Sequence, residues 1–580
     1  MSWLPWGDEA FARAREQNKP LYVHIGALTS ELSRDMARQS FANADTARFL
    51  NENFVCVLID RDQHPDVAAV YRAWLQQAKQ LNGWPLNLWL TPDLKPIEGA
   101  TYLPPSEEWG KPGLVNVAKQ VAGAWQADPA AQRSRADEAV AALTAGTVAD
   151  ANPISAAAAK AVLEDNLAAW EARFDPENGG FGDPPKRLEP ELLRFLLRRE
   201  TTRAHAVKTL TALSRGAIRD PLDGGFFRQA SDAAYRQPYL QKHAGDQARI
   251  VLAYLDALAL PEVKTGPEAG LLEQAARGAL RYLTTQLYDS KQGYLSAEDA
   301  SGEGGAAYYL WTLPDVQAAL GTEAAAAAQA LGVTAEGNLP ADAYPLASPA
   351  AGTGSAAPAA LNLPYLAEGS AGALSEAARA KLLAARAKRP GPRRDVSTPP
   401  STHGLILFAL SRAGTSLGDD DLLAAARRQA AWIREHLLTA EGTLRRLSKR
   451  GGGETVPALA EDYVYVAKGL LACSAATKDP ALEKLARGLA THAAGLLDAK
   501  AGRFVVTKTG PVAALGLIHG PVPAPGELPS AESAYLGYLV RAESNASVLP
   551  ALVTALSREA QDSPEAARGD LLLALDLATP

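Results

Sequence analysis

The chain is poor in sulfur. Its 580 residues hold two cysteines and two methionines, which excludes a disulfide framework and any metal site built on cysteine spacing. Cys56 stands in the apolar run Phe54-Val-Cys-Val-Leu-Ile59, and Cys473 ends Gly469-Leu-Leu-Ala-Cys473, so both read as inert core thiols. No apolar run is long enough to cross a bilayer, and no membrane association is expected. The opening Met1-Ser-Trp-Leu-Pro-Trp6 has neither the charged region nor the apolar stretch of a secretory leader, so a cytoplasmic location is the expectation. Positive charge is not concentrated either. Lys and Arg number 58 against 65 Asp and Glu, a net charge of −7 without a basic stripe, which argues against a nucleic-acid partner. The basic run from Arg386 to Arg394 is broken by Pro390 and Pro392 and reads as a solvated loop. No pattern asks for a cofactor or a metal.

What is present is ordinary globular composition, 47% hydrophobic and 21% charged, with ample length for a large core. Residues 1–127 alternate helix and strand. Asp8 to Gln17 is a helix with an acidic first turn, and Leu21–Ile25, Phe54–Ile59 and Leu86–Leu90 are continuous apolar strands of a sheet covered on both faces. Pro65 opens a helix to about Lys79, and an edge strand is expected near Ala100. Gly83-Trp84-Pro85 suits a cis peptide bond before a strand. Between the first strand and the next helix stand Ser30 and Ser33, with Ser30 expected to cap that helix. Residues 128–152 are Ala-rich and polar, and read as a helical linker.

From Pro153 to the end the chain becomes helix after helix, rich in Ala and Leu. Residues 480–497 show the pattern, with Leu482, Leu485, Leu489 and Leu496 on one stripe and charges opposite. A short signal recurs between helices: Phe174-Asp-Pro-Glu-Asn-Gly-Gly-Phe181, Leu222-Asp-Gly-Gly-Phe226, Tyr288-Asp-Ser-Lys-Gln-Gly-Tyr294 and Leu497-Asp-Ala-Lys-Ala-Gly-Arg-Phe504, with a weaker copy at Leu438-Thr-Ala-Glu-Gly-Thr-Leu444. A helix ends, glycine permits a left-handed turn, and an aromatic returns to the core. Repeated helical hairpins of this kind predict a closed toroid of about six hairpins over residues 153–580.

Taken together, the motifs resemble the thioredoxin-domain family that includes spermatogenesis-associated protein 20 and its bacterial relatives. The resemblance rests on Pro5-Trp6-Gly7, Asp60-Arg61, Gly83-Trp84-Pro85-Leu86 and Leu90-Thr91-Pro92-Asp93 in the first part. In the second it rests on Gly179-Gly180-Phe181-Gly182, Pro185-Lys186, Gly224-Gly225-Phe226 with Arg228, Lys242, Asp246-Gln247, Trp311-Thr312 and Glu461-Asp462-Tyr463. It implies a thioredoxin-like domain joined to an (α/α)6 toroid of the six-hairpin glycosidase type. This sequence departs from the family where chemistry would sit. Ser30-Glu31-Leu32-Ser33 replaces Cys-x-x-Cys, and a serine hydroxyl supplies no thiolate for disulfide exchange. Pro238-Tyr239-Leu240-Gln241-Lys242-His243, Asp299-Ala300-Ser301, Thr402-His403-Gly404-Leu405 and Pro529-Ser530-Ala531-Glu532-Ser533 also differ from the family pattern. Turns and plugs are kept while polar positions change, the pattern of a divergent relative and pseudoenzyme.

Toroids of this type in general resemble glycoside hydrolases and sugar epimerases, which use carboxylates or histidines as acid and base. The candidate catalytic acids are Asp246, Asp299, Glu461 and Asp462, with Glu303 beside them; as structural residues the same acids would cap helices or serve their own loops. Lys186, Arg228, His243 and His403 are the candidate ligand-binding residues. Two functions stand open. One is a redox-inactive binding or scaffold protein with a sugar-like small-molecule ligand in the toroid and a protein partner on the thioredoxin-like domain. The other is a carbohydrate hydrolase or epimerase using the toroid acids. A thiol oxidoreductase would return only through an exposed, reactive Cys56.

Overall fold

Strand alternation builds the first domain. The structure, a computed structural model, describes residues 1–26, 31–61, 63–108, 110–145, 153–300, 305–340, 343–344, 360–370, 374–446, 458–508, 510–516, 519, 528–543, 547–562 and 568–579. Ser30 and Glu303 lie outside the described residues. Four strands, β1 (Leu21–Gly26), β2 (Val55–Asp60), β3 (Leu86–Leu90) and β4 (Pro96–Ala100), form a sheet in the order β2-β1-β3-β4. β1 and β2 are parallel and the other pairs antiparallel. Leu21, Val23, Ile25, Val57, Leu88 and Leu90 face α1 (Asp8–Glu16) and α4 (Pro65–Lys79). Tyr22, Cys56 and Trp89 point the other way, with α3 (Ala44–Asn53) and α5 (Leu114–Ala127). Because strand side chains alternate, both faces must be apolar when both are covered. After β1 comes α2 (Glu31–Asp35), which runs on into a π-helical turn, Met36–Phe41. The Trp84–Pro85 peptide is cis. Helix α6 (Pro129–Ala145) packs on β4, α4 and α5, and its Leu143 joins the first domain's core.

The remaining long helices pack as antiparallel neighbours: α8 (Pro190–Leu197) with α9 (Arg203–Arg215), α10 (Ala244–Leu258) with α12 (Ala269–Thr285), α16 (Pro400–Leu417) with α17 (Asp420–His436), α18 (Ala460–Thr477) with α19 (Pro480–Ala494), α20 (Ala531–Arg541) with α21 (Leu549–Asp562), and α22 (Gly569–Ala578) with α21 and with α7 (Ala156–Ala172). The short α11 (Pro261–Lys264) follows α10. Between α12 and α16 lies an insertion that carries α13 (Leu313–Leu320), α14 (Ala324–Ala330) and α15 (Glu376–Arg386). Among the described residues, α8, α10, α16, α18, α20 and α22 touch in sequence, and α22 returns to α8, closing a ring of six inner helices. These inner helices are buried along nearly their whole length, as a helix walled on all sides requires. The fold is a thioredoxin-like domain followed by an (α/α)6 toroid.

The recurrent turn lies between an outer helix and the next inner one. Asp175, Asp289 and Asp498 each accept hydrogen bonds from backbone N–H groups two and three residues ahead. The flanking residues then pair as tiny antiparallel bridges: Phe174 with Phe181, Arg219 with Phe226, Tyr288 with Tyr294, Leu438 with Leu444, and Leu497 with Phe504. The weaker copy works with Thr439, whose hydroxyl accepts the Thr443 N–H. Gly224 shows why glycine is required: its φ is +91°, and an added Cβ would stand 2.5 Å from the backbone of Gly278 on α12.

Gly418, with φ +61° and nothing within 4 Å of an added Cβ, serves as its control. Gly418→Ala is expected to cost about 1 kcal/mol, the left-handed penalty alone, whereas Gly224→Ala costs about 3 kcal/mol once backbone overlap is added. Urea unfolding of both variants measures the difference.

Candidate functional site

Every inner helix but α16 begins with an acid in its first turn: Glu191 on α8, Asp246 on α10, Glu461 and Asp462 on α18, Glu532 on α20 and Asp570 on α22. The positive end of a helix favours a carboxylate there. Because the inner helices are parallel within the ring, these acids gather around one mouth of the toroid.

Each carboxylate is matched by an arginine. Asp246 accepts from Arg228 Nε at 3.1 Å and from Arg249 at 3.2 Å, and Arg249 also grips both oxygens of Glu191, the nearest contact at 2.5 Å. Arg446 bonds Glu461 at 3.0 Å and Asp462 at 2.8 Å. Asp462 further accepts the Leu459 and Ser401 N–H groups, which fastens α18 to the start of α16. Asp570 accepts the Ser530 N–H and Arg568, and Glu532 accepts the Phe504 N–H. These acids brace the helix starts against neighbouring loops.

Asp299 lies on β10 (Ala297–Asp299), the middle strand of a small sheet between β7 (Gln241–His243) and β11 (Arg393–Asp395); the intervening strands are the two-residue pairs β5 (Lys186–Arg187) with β6 (Gln229–Ala230) and β8 (Tyr288–Asp289) with β9 (Gly293–Tyr294). Its carboxylate takes Arg34 of α2 at 2.9 Å, with the two side chains only 7% and 14% exposed. Helix α2 of the thioredoxin-like domain thus sits on the toroid mouth through a buried ion pair. Ser33, the second serine of Ser30-Glu31-Leu32-Ser33, is buried one residue away. His243 closes this cluster. Burial drives its pKa well below the usual histidine value, Arg228 and Arg61 add to the shift, and Asp299 opposes it. Its ring makes no hydrogen bond among the described residues, so at neutral pH it is an uncharged imidazole beside Arg228, Asp299 and Arg61.

The structure therefore brings Arg228, His243, Asp246 and Asp299 together and places Glu461 and Asp462 on another wall of the ring. Lys186 and His403 go elsewhere. Lys186 is buried against Asp175 at 2.5 Å and the Gly179 carbonyl, inside the first recurrent turn. His403 packs toward α17, 2.9 Å from Gln429 and stacked on Trp432, and burial lowers its pKa to about 3. His24 bonds Asn87 in the thioredoxin-like core. The thiols are closed off: burial pushes Cys56 up to about 12 and raises Cys473.

One expectation is corrected. Arg386 is not in a solvated loop but 2% exposed. It reaches Asp220 at 2.6 Å and Asp223 at 2.7 Å, and Lys242 joins the same two carboxylates at 3.0 and 2.8 Å. Phe227, Tyr282 and Tyr309 each place a ring 4.7 Å from Lys242 Nζ. Arg386 and Lys242 overcome the burial penalty of Asp220 and hold its pKa low, while burial and repulsion from Asp220 push Asp223 up to about 6. Arg389 lies over Trp311, and Arg394 pairs with Glu298. Sequence reasoning also missed Lys468, a lysine within the apolar α18. It lines an axial cavity of about 40 Å³ with Glu191, Arg194, Tyr465 and Asp570, and burial with Arg194 and Arg541 lowers its pKa to about 7. A charged residue interrupting an otherwise apolar helix was the available signal.

Residues 1–144 match the Thioredox_DsbH family, described as a protein of unknown function, DUF255. Over 519 residues the chain is 32% identical to spermatogenesis-associated protein 20 of Mus musculus, covering 81% of this chain and 64% of that protein. The chain is similar to spermatogenesis-associated protein 20 over most of its length. The Homo sapiens protein gives 32% identity over 532 residues, 83% of this chain and 66% of its own length. The chain spans just under two thirds of the length of these relatives. Among solved structures, cellobiose 2-epimerase from Spirochaeta thermophila covers 69% of this chain and 83% of its own at 15% identity, with a TM-score of 0.40, a likeness too low to bear on ligand or reaction.

Two substitutions test these buried groups. Lys242→Met leaves Arg386 alone against Asp220 and Asp223, one buried negative charge uncompensated, and should cost about 3–5 kcal/mol in urea unfolding. His403 has a folded pKa of about 3 against 6.5 unfolded, so the unfolded chain binds its proton first, and the stability present above pH 6.5 is lost as pH falls toward 3. Its share of the slope should be about 1 kcal/mol per pH unit below 6, and His403→Gln should flatten the acid limb of stability against pH by that amount.

Proposed function

We propose that this chain is a redox-inactive binding protein, a pseudoenzyme on its family's plan, with its ligand site at the toroid mouth under α2. The observation that carries the reading is the buried Arg34–Asp299 pair, which commits the helix after the former redox motif to covering the mouth. Arg228, His243, Asp246 and Asp299 are the ligand contacts in this reading, with Glu461 and Asp462 on another wall of the ring, while Lys186 and His403 hold the first recurrent turn and the α16–α17 packing outside the site. Fixed carboxylate and guanidinium arrays offer acceptors and donors in set directions, which suits a hydroxyl-rich, sugar-like small molecule. The arginine pairing of the acids favours binding over acid–base work, because a general acid needs a carboxyl that keeps its proton near neutral pH. The remaining face of the thioredoxin-like domain is the docking surface for a protein partner, in a cytoplasmic setting.

A second reading, a carbohydrate epimerase or hydrolase, is favoured by one feature: His243 is an uncharged imidazole, able to accept a proton, within the same cluster.

A thermal-shift panel of mono- and disaccharides, amino sugars and glycated amino acids tests both. Ligand at about 100 times its Kd adds about 2.7 kcal/mol of native-state stability. The binding reading expects a stabilising compound whose effect is lost in Asp246→Asn and in His243→Gln, with the compound recovered unchanged. Turnover of the hit, abolished by His243→Gln, would replace it with the enzyme reading. No shift across the panel, or shifts indifferent to both substitutions, would remove the sugar site from the mouth.

A further inference from the structure

A second cavity, of about 310 Å³, lies on the outer wall of the toroid, where α12 faces the loop after α9 and helix α15 of the insertion. Its volume is at the lower end of small-molecule sites, which run from about 300 to 1,000 Å³. Four arginines and two glutamates line it: Arg219, Arg277, Arg281, Arg379, Glu273 and Glu376.

Charge accounting separates these residues. Arg277 is spent on Glu273 at 2.7 Å and Asp419 at 2.9 Å. Arg379 is spent on Glu376 at 2.6 Å and on the Leu222 carbonyl. Arg219 and Arg281 remain. Neither forms an ion pair among the described residues, and the buried Nε of each has no hydrogen-bond partner. Arg219 is only 3% exposed and uses its terminal nitrogens on the carbonyls of Ser214 and Gln274. Nearby Asp220 and Asp223 do not serve it, because Lys242 and Arg386 already balance them. Two guanidiniums therefore line one cavity without an ion pair of their own among the described residues. Burial lowers the pKa of both, Arg219 to about 10, and the more distant Asp220, Asp223 and Glu376 only partly oppose the shift.

We propose that this cavity is a binding site for a small phosphomonoester, whose dianionic phosphate is held by Arg219 and Arg281. The four guanidiniums of the lining outnumber the three carboxylates they meet, Glu273, Glu376 and Asp419, so the cavity keeps a net positive charge for an anion. Guanidinium forks suit phosphate oxygens in geometry as well as charge, and the space beyond one phosphate accommodates a compact organic body. The site lies on the outer wall and stands independently of the toroid mouth.

Isothermal titration of the full chain tests this with inorganic phosphate, glycerol 3-phosphate and glycerol, at ionic strength held constant with chloride. Both phosphates should bind and glycerol should not. Arg281→Ala should weaken phosphate binding at least about tenfold. Gly270→Glu supplies an arm that leaves the arginines intact. Gly270 lines the cavity and an added Cβ meets nothing within 4 Å, so the new carboxylate enters the space, and glutamate suits a helix better than glycine. It too should abolish binding, while the surface substitution Arg48→Ala should leave it unchanged. Absence of phosphate binding at millimolar concentration, or equal affinity in the wild type and Gly270→Glu, would overturn the proposal.

Discussion

Four buried charges, Lys242 and Arg386 against Asp220 and Asp223, set the geometry on which the rest depends. Charges removed from water must be paired in place or the segment carrying them cannot stay buried. The pairing fixes three pieces of chain to one point: the turn after α9, strand β7 and the end of α15. Strand β7 then positions the residues next in the chain. His243 comes directly after Lys242, and Asp246 opens α10 one turn on. Through its other edge β7 aligns β10, with Lys242 opposite Glu298 and Gln241 opposite Asp299. The position of Asp299, and so the point where α2 docks, is inherited from this cluster.

The thioredoxin-like domain meets the toroid through α2, the helix that holds Ser33. Arg34 supplies the contact with Asp299. In the toroid the acids at the inner helix starts are tied to Arg228, Arg249, Arg446 and Arg568, so the mouth is a charge-paired rim. In the proposed binding reading such fixed pairing leaves a ligand little ordering cost to meet.

Much of the architecture was legible in local pattern. Continuous apolar runs marked β1, β2 and β3, and the Asp-to-Gly-to-aromatic turn marked the hairpins because each copy acts within eight residues. The two-residue strands beside the turns are too short for a period to show. The candidate acids could be found because Asp246 and Glu461-Asp462 interrupt or open apolar helices. Their partners could not. Arg386 lies 166 residues from Asp220, and Arg34 lies 265 residues from Asp299. Such pairs exist only once the ring has closed, which is also why Arg386, at the head of a basic run that continues through Pro390-Gly-Pro392, read as a surface residue and proved to be core. His403 and Lys186 looked like site residues for the converse reason: their burying neighbours, Trp432 and Tyr235, come from other elements.

The central claim is that the α2 end of the first domain is coupled to the toroid mouth. A double-mutant cycle over Arg34→Ala and Asp299→Ala, read by urea unfolding, measures that coupling directly. A largely buried, hydrogen-bonded pair should give an interaction energy of about 1–3 kcal/mol. Additive single-mutant effects, with coupling near zero, would contradict the account and leave α2 merely resting on the mouth.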